Sequence, residues 1–152
     1  MSKKAIAIHL TDTHATDSNL KIQESIWKQA VALSVANGRC NIFHGGDWVT
    51  ARKAQSLEVL EHLVWIKDLC GEERIKLTGV SGNHCKTNQE SVFAYPNLLN
   101  DDSFHIVDET HTEVFGKVRV SFMSYFPEDG SCRDKIERLV DKLKTTKKKG
   151  VK

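Results

Sequence analysis

The four cysteines, Cys40, Cys70, Cys85 and Cys132, stand far apart, and no two of them form a Cys-x-x-Cys pair. That spacing excludes a zinc ribbon and a small disulfide scaffold, and it fits a reducing, cytoplasmic setting. A run of about 18 apolar residues is absent, so no membrane span is expected. Met1-Ser-Lys-Lys leads only into the short apolar run Ala5 to Leu10, which does not make a signal peptide. Nor is charge of one sign in excess. The net charge is +2, so charge balance alone makes no case for nucleic acid.

What is present is enough chain for one compact domain of 152 residues with a real core. We place that domain at residues 1–143 and a basic tail at 144–152. Lys142, Lys144, Lys147, Lys148, Lys149 and Lys152 crowd the last eleven positions. A solvated, disordered tail is the expectation for the end of the chain, and a phosphate-backbone contact is the alternative.

Taken in order, residues 4–10 read as a short buried strand that stops at Thr11-Asp12-Thr13-His14. Asp12 and His14 are two apart, so an extended backbone puts them on one face. An aspartate oxygen beside a histidine nitrogen suits manganese, iron or zinc better than magnesium or calcium. Thr16-Asp17-Ser18 signals a helix start, and Ile22, Ile26, Ala30 and Leu33 recur at helical spacing before Asn37-Gly38 ends the helix. A second strand, residues 40–43, leads into His44-Gly45-Gly46-Asp47-Trp48. The paired glycines allow a sharp turn and a close backbone approach. Asp47 is either a ligand or the cap of the next helix, and His44 reads as a satisfied strand-end residue. A second helix is expected from about Ala51 to Leu69, with Leu57, Leu60 and Val64 as its seam. Arg52 and Lys53 then fall in its first turn. The helix dipole disfavours cations there, so they are candidate contacts for an anionic ligand, with solvated charges as the simpler reading. A third strand, residues 75–81, ends in Gly82-Asn83-His84.

The order β-α-β-α-β implies an α/β fold with a parallel sheet, in which ligands bind at the carboxyl ends of strands. Asp12, His14, Asp47, Asn83 and His84 all fall at such ends. Beyond Cys85, residues 86–100 read as a loop or short helix, 103–108 as a strand, 112–115 and 117–125 as a hairpin around Gly116, and 131–143 as a helix. His105 and His111 read as surface or packing residues. Two carboxylates, two histidines and an asparagine on one rim fit a two-metal hydrolytic site. Asp47 is then the bridging ligand and His84 the general acid, an imidazole being suited to proton transfer near neutral pH.

Asp-x-His, then Gly-Asp about 33 residues on, then Gly-Asn-His about 36 further on, resembles the calcineurin-like metallophosphoesterase family over residues 4–127. Within it, Gly-Gly-Asp-Trp-Val-Thr-Ala-Arg-Lys and Phe93-Ala-Tyr-Pro-Asn-Leu look most like the SbcD-type nuclease subunit of recombination and repair complexes, in its bacteriophage versions. The resemblance implies a layered β-sandwich flanked by helices and two manganese ions, with iron or zinc as alternatives. It assigns Asp12 and His14 to the first ion, Asp47 to both and Asn83 to the second, and has His84 protonate the leaving oxygen. DNA, an SbcC-type ATPase subunit and a homodimer are the partners it implies. Two departures bear on activity. Cys85 stands where the family has an acid that could orient His84, and no Gly-His-x-His follows Tyr125. The family's C-terminal strands are therefore expected to be missing, the second ion to be weakly held, and a non-catalytic protein binding metal, a partner or nucleic acid is the alternative function.

Overall fold

The computed structural model describes residues 5–86, 94–126 and 131–149, and side chains within them except at 131 and 145–149. Phe93, residues 87–92 of the expected loop, 127–130 of the next loop and 150–152 of the tail lie outside the described residues.

Four short strands form a parallel sheet in the order β1 (Ala7–Leu10), β2 (Asn41–His44), β3 (Leu77–Val80) and β4 (Phe104–Val107). The connections carry α1 (Leu20–Ala36) and α2 (Leu57–Glu72), followed by short 3-10 turns at Asn83–Cys85 and Tyr95–Leu99. A hairpin, β5 (Thr110–Phe115) with β6 (Val118–Met123), pairs antiparallel, and α3 (Ser131–Lys149) follows. The chain is thus an α/β protein built on a parallel sheet. No helix among the described residues is long and apolar enough to cross a membrane.

Alternation along the strands divides the core in two. Ile42, Leu77, Phe104 and Ile106 face the helices and join Trp27, Leu63 and Ile66. Phe43, Val80 and Val107 face the opposite side and meet Phe122 of the hairpin, with Phe115 and Val120 beside it. Each fully buried side chain of this kind contributes roughly 1.5–3 kcal/mol. The hairpin is therefore a second layer lying on the sheet, not an extension of its edge.

Several sequence-based boundaries shift. Strand β1 was expected to be buried, but it is the sheet's edge, with His9 exposed and Ala7, Ile8 and Leu10 half-buried. Helix α1 starts after Asn19, whose side chain makes no capping hydrogen bond to it, and not directly after Thr16-Asp17-Ser18, and Gly38, at φ 77°, turns the chain out of it. Its buried face is Gln23, Trp27, Ala30, Val31 and Ser34, whereas Ile22 and Leu33 are exposed. In α2 the inward seam is Val59, Leu63, Ile66 and Cys70, and Leu57 and Val64 face outward. Both helices carry two adjacent apolar stripes, and the docking angle on the sheet selects one. Helix α2 begins only at Leu57, capped by Ser56, whose hydroxyl accepts from the Val59 N–H at 3.2 Å. Arg52 and Lys53 are thus in the loop before the helix, not in its first turn. Helix α3 continues to Lys149, so the segment expected as a disordered tail is helical from 144 to 149.

Candidate metal centre

The pairing of β1 with β2 does not stop where the strands end. Gly45 N–H donates to the Leu10 carbonyl at 2.8 Å, Asp12 N–H to Gly46 at 3.1 Å, and His14 N–H to Asp47 at 2.9 Å. Ala15 N–H then reaches the Trp48 carbonyl at 2.9 Å, and Ala15 bridges Val49. The two strand-end loops run side by side, which sets Asp12 and His14 against Asp47. Asp12 (φ 54°), His14 (φ 46°) and Asp47 (φ 52°) all hold left-handed backbone. Asp and His are among the residues enriched there, but each such position still costs on the order of 1 kcal/mol or more, and such strain gathers at functional sites.

The result is convergence. Ligand atoms of Asp12, His14 and Asp47 lie within 4.8 Å of one another. His14 Nε2 is 3.8 Å from Asp12 Oδ1 and 3.8 Å from Asp47 Oδ2. Asp12 is exposed, while His14 and Asp47 are half-buried, so the cluster opens to solvent on one side.

His84 comes to the same place from β3. Its main-chain N–H donates to Asp47 Oδ1 at 3.0 Å, and its ring stands edge-on to His14, centroids 5.1 Å apart. Its Nδ1 donates to the Thr50 carbonyl at 2.9 Å, which leaves Nε2 as the free ring nitrogen. Thr50 is itself tied to the first loop, its hydroxyl donating to the His14 carbonyl at 3.1 Å. The orienting group for His84 is therefore a backbone carbonyl, and Cys85 takes no part. Cys85 is fully buried and its sulfur accepts from the Trp48 N–H at 3.3 Å. Burial pushes its thiol up, which disfavours the thiolate that a metal needs.

Glycine makes the approach of the loops geometrically feasible. A Cβ on Gly82 would lie 2.0 Å from Asp47 Oδ1 and 2.4 Å from its nitrogen. Gly46 (φ 106°) in turn passes close to Gly82, a Cβ there meeting the Gly82 nitrogen at 3.0 Å. Behind them lies a buried aromatic base. His44 stacks on Trp48 with centroids 3.8 Å apart, and Trp27 stacks against both. His44 Nδ1 accepts from the Gly46 N–H at 3.2 Å, so its Nε2 carries the proton toward the Thr13 hydroxyl, also at 3.2 Å. Burial, reinforced by His9, lowers the His44 pKa to about 3, so it is a neutral strut under both loops. This is the satisfied role expected for it.

Asn83 occupies the 3-10 turn between Gly82 and His84 and lines, with Asp47, Met123 and Tyr125, a cleft of about 420 Å³. Its far wall is the end of the hairpin, held by Tyr125 N–H to the Ser81 carbonyl at 2.9 Å. Arg52 is half-buried, with its carbonyl accepting from the Tyr95 hydroxyl at 3.0 Å, and Lys53 is exposed. His105 and His111 are not in this centre but form a pair of their own, with rings 4.7 Å apart. Sequence reasoning missed Thr50, Asn19 and Gln23. Asn19 Nδ2 donates to the His14 carbonyl at 3.0 Å, and Gln23 Nε2 donates to that of Thr13. Of these, only Gln23 carried a signal, as a polar residue interrupting the apolar pattern of α1.

No family model matches this chain, and no curated protein matches it.

Proposed function

We propose that the protein is a metal-dependent phosphoesterase of the calcineurin-like metallophosphoesterase type, acting as a DNA exonuclease or endonuclease subunit of a recombination or repair complex. The observation that carries this reading is the meeting of Asp12, His14 and Asp47 ligand atoms within 4.8 Å, with the His84 ring packed on His14. Two carboxylates and an imidazole are a donor set for manganese, iron or zinc. Asp12, His14 and Asp47 would hold the first ion, and Asp47 with Asn83 the second. A bound divalent ion supplies a polarised phosphoryl oxygen and a water ionised near neutral pH.

The chain's own residues do the rest. Thr50 fixes the His84 ring so that Nε2 is the nitrogen available to a phosphate oxygen. With both nitrogens protonated, His84 still donates Nδ1–H to Thr50 and offers Nε2–H to the leaving oxygen. Arg52 and Lys53, in the loop beside Thr50, are the cations proposed to meet the substrate's neighbouring phosphates. The SbcC-type ATPase subunit and a homodimer belong to this proposal through the resemblance, and a cytoplasmic location through the scattered cysteines.

A second reading has its own observation. The ligands for the second ion, among the described residues, are Asp47 and the uncharged Asn83. That set favours a protein that holds one ion and binds DNA or a partner without turnover. Manganese titration and cleavage of bis(p-nitrophenyl) phosphate and linear DNA separate the two. The enzyme reading expects manganese-dependent cleavage that disappears in Asp47→Ala. One bound ion with no cleavage establishes the binding protein instead.

A further inference from the structure

We propose that His105, His111 and Glu113 form a separate site for a zinc-like divalent ion, which clips the hairpin onto the parallel sheet. It stands apart from the strand-end centre and does not depend on the function proposed for it.

The three residues come from two elements. His105 lies on β4, opposite Thr78 of β3, while His111 and Glu113 lie two apart on β5. Their ligand atoms fall within 4.8 Å of one another, and His111 Nε2 is already 3.5 Å from Glu113 Oε1. Tetrahedral zinc with bonds of about 2.0–2.1 Å needs ligands roughly 3.3 Å apart. The side chains must therefore close by up to about 1.5 Å, which half-buried side chains achieve by χ rotations. Two imidazoles and one carboxylate are a zinc-type set with a fourth position left for water, and a poor one for magnesium or calcium.

The charge states suit the role. Burial, then His111 and Lys76, holds the His105 pKa below its usual value, which favours the neutral, ligating imidazole. Burial opposes ionisation of Glu113, but hydrogen bonds from Thr78 and Lys76 outweigh it and keep the carboxylate charged. Thr78 Oγ1 donates to Glu113 Oε1 at 2.8 Å and would remain to orient that carboxylate. Lys76 is the competitor, its Nζ 3.1 Å from the same oxygen, but its side chain is 39% exposed and is free to swing outward. Asp108, the other charge acting on His105, favours a cation there.

The test is zinc titration of the metal-stripped whole chain by calorimetry. Wild type and Asp47→Asn should each bind one equivalent of zinc that His111→Ala and His105→Gln lose. Their affinity should fall by more than the roughly 100-fold that an outer hydrogen-bond partner is worth. Lys76→Ala should bind zinc several-fold more tightly, an effect a purely structural histidine pair would not show. Unchanged zinc stoichiometry in both histidine variants overturns the proposal, as does the absence of zinc binding in Asp47→Asn. Should the variants fail to fold, long-range proton–nitrogen spectra of wild-type imidazoles decide. The His105 and His111 signals must move on adding zinc, and if they stay fixed the site is refuted.

Discussion

The main-chain N–H of His84 holds Asp47 Oδ1 at 3.0 Å, so the anchoring of Asp47 does not depend on which side chain stands at position 84. The imidazole of His84 is tied elsewhere, to the Thr50 carbonyl. Backbone and side chain of one residue thus make two separate contacts, which under the proposed function would hold a ligand and present a proton. The two contacts are separable by substitution.

His84→Ala should leave manganese affinity within a few-fold of wild type, because the N–H to Asp47 survives. The cleavage rate should fall by about 10²–10⁴-fold, the usual contribution of a positioned general acid. Calorimetry and steady-state kinetics on the same preparation check both halves. A collapse of metal affinity would show that the ring itself supports the ligand cluster.

Gly82→Ala should do the opposite. The new Cβ would overlap Asp47 Oδ1, which must move out of the cluster. We expect a loss of about 1–3 kcal/mol in urea unfolding, the usual cost of overpacking, together with weakened manganese binding. Wild-type affinity in the folded variant would mean that Asp47 is not a ligand.

An acid at position 85, the residue type the resemblance implies there, should not help. Cys85 is fully buried and bonded to the Trp48 N–H, turned away from any role with His84. Cys85→Asp places a carboxylate there, near Asp47, at an expected cost of about 2 kcal/mol or more. Cys85→Ala should cost less. Thermal or urea unfolding ranks the three proteins, and a more active Cys85→Asp would refute the assigned orientation.

Acid should loosen the centre from beneath. The His44 pKa falls from 6.5 to about 3 on folding because burial penalises the charged ring. The unfolded chain therefore binds the extra proton between these values. The stability that neutral His44 contributes is complete above pH 6.5 and is lost as pH falls through that window. One proton over 1.5 pH units corresponds to about 2 kcal/mol between pH 6.5 and pH 5. Urea unfolding at both values measures it, and His44→Phe should show a correspondingly flatter dependence.

Much of this was legible residue by residue. The parallel βαβ order, the strand-end positions of Asp12, His14, Asp47, Asn83 and His84, and the satisfied strand-end role of His44 all follow from local pattern and turn chemistry. Periodicity in α1 and α2 offers two adjacent apolar stripes each, with Trp27 and Val31 beside Ile22 and Ile26, and Val59, Leu63 and Ile66 beside Leu57 and Val64, and it does not say which stripe meets the sheet. Arg52 and Lys53 fall within the helical pattern but lie before α2, because Ser56 supplies the cap. Thr50 was invisible as a site residue because it acts through a carbonyl, which every residue possesses.

The sequence by itself determined which residue types end each strand, and so the donor chemistry available: two carboxylates, two imidazoles and an amide. Only the tertiary structure decided that three of them converge, since that depends on two loops continuing a strand pairing across residues more than thirty apart. It also decided that Cys85 faces Trp48 while Thr50 aims His84. The reason is physical. Hydrophobic period and turn preference act over a few neighbours, whereas the contact of Gly82 with Asp47 exists only once separate strands have packed.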